Sequence, residues 1–202
     1  MVDLARLATK TENTLDHIAH PIHTAFLECW SSFGEHQRMP ARHKLDACAM
    51  GPRGILPCIW MADRSDGGFV YRLAGAEIAD AWKNDRLVGK SLVELIEQPA
   101  LSFVLGNWNR VLNEQVILHT RGQIYTALGR YRVGERIVLP LAPDDNGVET
   151  VVGVTIYGAE QKTATDSQHD PSLRIDVMAE TPVDMIWKTY GGRVPWRGVA
   201  DG

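Results

Sequence analysis

Apolar residues near the start of the chain recur at Leu15, Ile18, Ala19, Ile22, Phe26, Cys29, Trp30 and Phe33, a spacing that lays one stripe along a helix. Pro21 interrupts the stripe. A proline inside a helix costs about 3 kcal/mol but loses nothing at the first helical position, so the pattern predicts a kink or a fresh helix at Pro21 and a stop at Gly34. From 39 to 57, Pro40, Gly51, Pro52, Gly54 and Pro57 come too often for a long element, which predicts a connector with one short helix. Residues 58–62 then read as a buried strand and Ser65-Asp66-Gly67-Gly68 as a hairpin turn. The second strand is expected at 69–74, where Phe69, Tyr71 and Leu73 alternate with Val70, Arg72 and Ala74.

Short helical pieces follow at 76–83 and 91–97. Ser91 followed by Glu94 fits a capping box, in which hydroxyl and carboxylate each satisfy an amide at the helix start. Leu101, Val104, Leu105, Trp108, Val111 and Leu112 form a longer amphipathic helix that should lie against a sheet. Strands are predicted at 116–127, 131–141 and 148–157, the last two joined by Ala142-Pro143-Asp144-Asp145-Asn146-Gly147, whose composition is turn chemistry. Residues 160–171 read as a polar linker. The tail, with Pro182, Gly191, Gly192 and Pro195, is expected to hold at most a short helix around 183–190.

Two strands, a helical crossover and three antiparallel strands assemble into one five-stranded sheet with helices on one face, an α+β arrangement with PAS topology. A cone-shaped α+β fold of the nuclear-transport-factor type uses the same ingredients, but it begins with its long helices and lacks the central crossover. The division expected along the chain is 1–54 for N-terminal helices and connector, 55–159 for a PAS-like domain, and 160–202 for linker and tail.

A chain of 202 residues with 45% hydrophobic and 23% charged positions suits one folded domain with appendages. Its 21 basic and 25 acidic residues give a net charge of −4, without the positive field that a nucleic-acid backbone requires. The amino terminus lacks the apolar core of a secretory signal and no run reaches the ~18 apolar residues of a membrane span, so a cytoplasmic location is expected. Cys29, Cys48 and Cys58 form no Cys-x-x-Cys pair, which argues against a disulfide framework and a zinc knuckle and for reduced, partly buried thiols.

The chain resembles a PAS-domain family found widely in alphaproteobacteria, often as small stand-alone proteins. The resemblance runs from Cys29-Trp30 through Met39-Pro40-Ala41-Arg42, Asp46 and Leu56-Pro57 to Phe69-Val70-Tyr71-Arg72-Leu73-Ala74-Gly75 and Gly89-Lys90-Ser91-Leu92. It continues through Arg136-Ile137-Val138-Leu139-Pro140-Leu141-Ala142 and Val151-Val152-Gly153. The family often places a proline soon after the connector aspartate, whereas Asp46 is followed by Ala47-Cys48. The resemblance implies a fold and a signalling role and names no ligand.

A PAS-like pocket would lie between the short helices and the sheet, where Trp82, Trp108, His119 and Tyr125 are the candidate ligand-binding residues. The competing reading makes both tryptophans core, with His119 and Tyr125 satisfied at its edge. Arg72, in a strand that otherwise reads as buried, needs a carboxylate or carbonyl partner; it either fixes helix-to-sheet geometry or binds an anionic ligand. His17, His20 and His23 recur every third residue, but Pro21 breaks the helix between them, and solvated histidines are the commoner explanation, so no metal is assigned. The Asn-Cys-Arg-Phe-Leu motif of flavin photoreceptors is absent. The helix at 101–112 carries no histidine for haem, and the cofactor is left unknown.

No nucleophile with a base, paired-carboxylate site or phosphate loop stands at a useful spacing, so catalysis is not expected. The leading expectation is a sensory or regulatory domain that binds a small molecule or a protein partner and signals in trans. Its dimer surface would be the N-terminal helix, whose Trp30 and Phe33 must be buried somewhere. The alternatives are a ligand-free adaptor whose pocket is filled by Trp82 and Trp108, and a small isomerase or hydrolase using His119.

Overall fold

The computed structural model describes residues 15, 18–34, 38–83, 86–98, 100–127, 130–158 and 175–190. A helix α1 (Pro21–Phe33) begins at Pro21, as the proline argument requires, and the His20 side chain caps it by accepting from the Ile22 amide at 3.3 Å. The connector holds 3₁₀ turns at Arg42–Lys44 and Gly51–Arg53 around a short α2 (Ala47–Met50). Then come β1 (Ile59–Ser65), β2 (Gly68–Ala74), α3 (Ala76–Trp82), α4 (Leu92–Leu95), α5 (Ala100–Asn113), β3 (Val116–Ala127), β4 (Arg130–Pro140) and β5 (Thr150–Tyr157). The Ser91/Glu94 capping box is formed at the start of α4. In the β4–β5 turn, the Asp144 carboxylate accepts from the amides of Asn146 and Val148, the local bonding that makes aspartate a turn residue.

Two expectations need correction. The sheet has six strands rather than five, in the order β2-β1-β5-β4-β3-β6, because 175–182 forms β6 (Ile175–Pro182) antiparallel to β3. It is followed by α6 (Asp184–Tyr190), the short helix expected around 183–190. Helices also cover both faces of the sheet, not one. α3, α4 and α5 pack on an inner face carrying Trp60, Phe69, Tyr71, Leu118, Val138 and Val151. α1 and α6 pack on the outer face over Ile59, Met61, Ile117, Ile137, Leu139, Val152 and Val154.

The two covers follow from the strands themselves. β1, β4 and β5 carry continuous apolar runs, and a strand apolar on both sides must be buried on both sides. The α1 stripe is therefore spent within the chain: Phe26, Leu27 and Trp30 are fully buried. The Trp30 indole donates to the Pro140 carbonyl at 3.2 Å and meets the Trp187 ring of α6 at 4.9 Å. The physical reason for expecting a dimer through this helix is removed, because its own sheet and α6 supply the cover.

Candidate functional site

The inner face is floored by aromatic rings. Trp60 stacks on Trp108 at 4.6 Å, and Phe69 and Tyr71 meet Trp108 edge-on at 5.2 and 6.2 Å. Trp82 reaches Tyr71 from α3 at 6.4 Å. Gly153 opposes Trp60 across β1 and β5, and a Cβ there would stand 2.3 Å from the Trp60 ring. Glycine at 153 is thus the condition for the indole to lie flat on the sheet. These rings fill the centre of the space between α3–α5 and the sheet. Trp108 and Trp82 are both buried in this cluster.

Beside the rings the chemistry changes. In β4 the residues on the inner side are Arg132, Gly134, Arg136 and Val138; in β5 they are Val151, Gly153, Thr155 and Tyr157. Tyr157 pairs with Gly134, so it sits between the two arginines on the neighbouring strand. The Arg132 guanidinium lies over the Tyr157 ring at 5.4 Å, and the Arg136 guanidinium over the Trp60 ring at the same distance. Arg136 Nε donates to the Thr155 hydroxyl at 2.9 Å, and Trp60 Nε1 donates to that oxygen as well.

Three further buried polar atoms of this corner lack a close partner. Trp82 Nε1, the Tyr157 hydroxyl and Arg132 Nε are each shut off from solvent without a hydrogen-bond partner. The Tyr157 hydroxyl faces both the Arg136 guanidinium and the Trp82 indole, and hydrogen bonding from the two favours its ionised form, although no close, well-aligned bond is formed. Burial pushes its phenol pKa up, and those two neighbours with Arg132 hold part of the rise back. Burial likewise raises the phenol of Tyr71, against the charge of Arg136. Among the described residues no carboxylate pairs with Arg132 or Arg136. Sequence reasoning passed over both arginines and Tyr157, although a basic residue every fourth position on an inward-facing strand, separated by glycine, is a readable signal.

The other residues singled out from the sequence are scattered. Arg72 is half-exposed; its Nε donates to the Asp63 carboxylate at 2.7 Å. Asp63 is the buried partner, also accepting from Thr150 at 2.7 Å and facing Arg42 at 3.3 Å. A bulge against Met61 and Ala62 breaks the expected alternation of β2. Phe69 and Tyr71 consequently face the inner core while Leu73 packs on the outer one. His119 is buried on the outer face, away from the rings, with Nε2 2.7 Å from Glu135. His23 of α1 approaches the same carboxylate at 3.4 Å. The backbone of Tyr125 pairs with Tyr131 in the β3–β4 ladder; its side chain lies outside the described residues, as does His17.

Among the described residues no group of three or more His, Cys, Asp or Glu is arranged to hold a metal. Cys29 and Cys58 are buried and Cys48 is exposed, all as free thiols. Burial and the Glu77 carboxylate push the Cys58 pKa up to about 12, which leaves it inert as a nucleophile. Across the sheet, an apolar groove of about 720 Å³ opens between the connector and β1–β2, lined by Leu45, Met50, Leu56, Ile59, Met61 and Leu73 with Arg42 and His43 at its rim. No helix among the described residues is long and apolar enough to cross a membrane.

The antiparallel sheet with its helical crossover has the arrangement expected of a PAS domain, and comparison with known families agrees. The family model described as PAS domain matches residues 18–156, and the chain belongs to that family. Among solved structures it is similar to the PAS domain from Bordetella pertussis BvgS, at 19% identity and a TM-score of 0.36 over 54% of this chain and 81% of that one. No curated protein matches the sequence. The matched segment takes in α1 and the connector as well as β1 to β5.

Proposed function

We propose that the chain is a regulatory PAS domain whose input is a small molecule received at the inner-face corner formed by Trp82, Arg132, Arg136 and Tyr157. The observation that carries this reading is the group of orphaned polar atoms there. Buried polar groups nearly always find partners, and each one left without costs about 1–3 kcal/mol. Trp82 Nε1, the Tyr157 hydroxyl and Arg132 Nε sit on one face, next to the Arg136 guanidinium that donates to Thr155, and a ligand that accepts from them removes that cost. The aromatic floor lies on one side of the corner and the short helices α3 and α4 cover it on the other. Occupancy would therefore be felt first in α3, which carries Trp82, and relayed by altered contacts to a partner in trans.

Native mass spectrometry of freshly purified chain, paired with an absorption spectrum of the same sample and of a Tyr157→Phe variant, tests the proposal. A small-molecule adduct on the wild type that is weakened in the variant supports it. An adduct indifferent to Tyr157 refutes the assignment of the corner. The ring cluster itself favours a second reading, an adaptor whose inner space is filled by Trp60, Trp82 and Trp108. That reading predicts a chain that binds no small molecule and assembles with itself or with another protein through its surface.

A further inference from the structure

The geometry points to an oxyanion, a carboxylate or a phosphate, as the group that the inner-face corner takes. This rests on the reading of that corner as the input site, and it specifies the chemistry of what enters. Every orphaned polar atom there is a donor or can act as one: an indole N–H, a guanidinium N–H and a phenol. A cation or a pure donor could be met by the phenol oxygen alone, while an acceptor with several lone pairs suits all three.

Charge points the same way. Arg132 and Arg136 stand about 13 Å apart along β4 by strand rise, with side-chain-free Gly134 between them and Tyr157 opposite that gap. The two long side chains flank Tyr157, with the Arg132 guanidinium over its ring and the Arg136 guanidinium over the Trp60 ring, and these aromatic faces hold the guanidinium planes in place. Elsewhere in this chain the described arginines on strands that are drawn inward have acidic partners, as Arg72 does in Asp63 and Arg64 in Glu149. Among the described residues Arg132 and Arg136 have rings and a hydroxyl instead. A positive charge half-withdrawn from water without an anion is costly, and an incoming oxyanion supplies charge and acceptors together.

The test is calorimetric titration of the full chain with inorganic phosphate, succinate and benzoate, each against its neutral counterpart: trimethyl phosphate, succinamide and benzamide. Arg132→Gln and Tyr157→Phe are titrated in parallel. At least one anion is expected to bind while its neutral counterpart does not. Each variant should weaken that binding about tenfold or more, since each loses a hydrogen bond to a charged group. The melting temperature and near-ultraviolet circular dichroism of the unliganded Tyr157→Phe chain are recorded alongside, so that lost binding in a variant that keeps both is not a loss of fold. Binding of a neutral counterpart as tightly as its anion, with the same loss in Tyr157→Phe, overturns the oxyanion assignment and leaves the corner as an input site. Failure of every anion to bind overturns the assignment, and anion binding that survives both substitutions overturns it together with the corner.

Discussion

His23 enters the fold as a neutral imidazole, and that choice ties stability to pH. The ring is fully buried between α1 and the sheet. Burial lowers its pKa from 6.5 to about 4; the nearby Glu135 charge opposes the shift, and His20 and His119 add to it. Those are the titratable groups that face it from its own helix, from β3 and from β4. Between pH 6.5 and about 4 the unfolded chain holds a proton on this residue that the native chain does not. The stability contributed by the neutral ring is therefore complete above the unfolded pKa and is lost as pH falls towards the folded one. At about 1.4 kcal/mol per pH unit, the full gap is worth about 3 kcal/mol. Glu135 acts in the same direction lower down. Burial raises its pKa, but the His119 hydrogen bond and the charges of His23 and His119 outweigh that and hold it below the ordinary value. Its contribution is thus present above the usual carboxylate range and lost as pH falls through the folded pKa. Urea unfolding at several pH values across this range should show a midpoint that declines steadily with acid, and His23→Leu should flatten the decline above the carboxylate range. A wild-type midpoint that does not move between about pH 6.5 and 5, where a carboxylate is still ionised, would refute the reasoning, as would a His23→Leu profile parallel to wild type.

Further predictions concern the two cores. Trp108→Ala removes the ring stacked at 4.6 Å on Trp60 and should cost about 3–5 kcal/mol in urea unfolding; a cost below about 1 kcal/mol would mean that the aromatic floor is not packed as described. Arg72→Ala should cost about 1–2 kcal/mol, because half-exposed Arg72 is only one of three partners of buried Asp63 and solvent screens part of the interaction; anion affinity should stay unchanged, since Arg72 lies on the outer face. Gly153→Ala sets a methyl against Trp60 and should lower stability by about 1–3 kcal/mol, with near-ultraviolet circular dichroism reporting the displaced indole.

Much of the fold was legible because local signals agreed with one another. Pro21, the Ser91/Glu94 box, the Gly67-Gly68 turn and the Asp144 turn each fix a boundary through backbone chemistry that no tertiary contact overrides. β6 was hidden because Pro182 and the glycines beyond it read as a tail, yet Ile175, Val177, Ala179 and Thr181 alternate with Asp176 and Glu180 in the manner of an edge strand. The second helical layer was also readable in principle. Ile59-Trp60-Met61-Ala62 and Val151-Val152 place large apolar groups on both sides of the sheet, and such strands require two covers.

The site was less legible because it depends on registers across strands. Strand periodicity puts Arg132 and Arg136 on one face, but nothing in the linear sequence pairs Tyr157 with Gly134 or says that Trp60 shares that face. Among the candidates read from the sequence, Trp82 lies in the corner and Trp108 in its floor, while Arg72 and His119 belong to the opposite side of the sheet. The β2 bulge is why Arg72 misled: one extra residue there re-aims the side chains that follow it.

The claim that input arrives at the inner-face corner is tested most directly by the indole region of a ¹H–¹⁵N correlation spectrum, recorded while the full chain is titrated with the anion that calorimetry selects. The chain has six tryptophans, each reporting its own surroundings, and replacement by phenylalanine assigns the signals. The account predicts that the Trp82 signal moves most and towards a hydrogen-bonded shift, with Trp30 and Trp187 on the outer face unmoved. A titration that shifts Trp30 and Trp187 while leaving Trp82 in place would contradict it and put the input on the other side of the sheet.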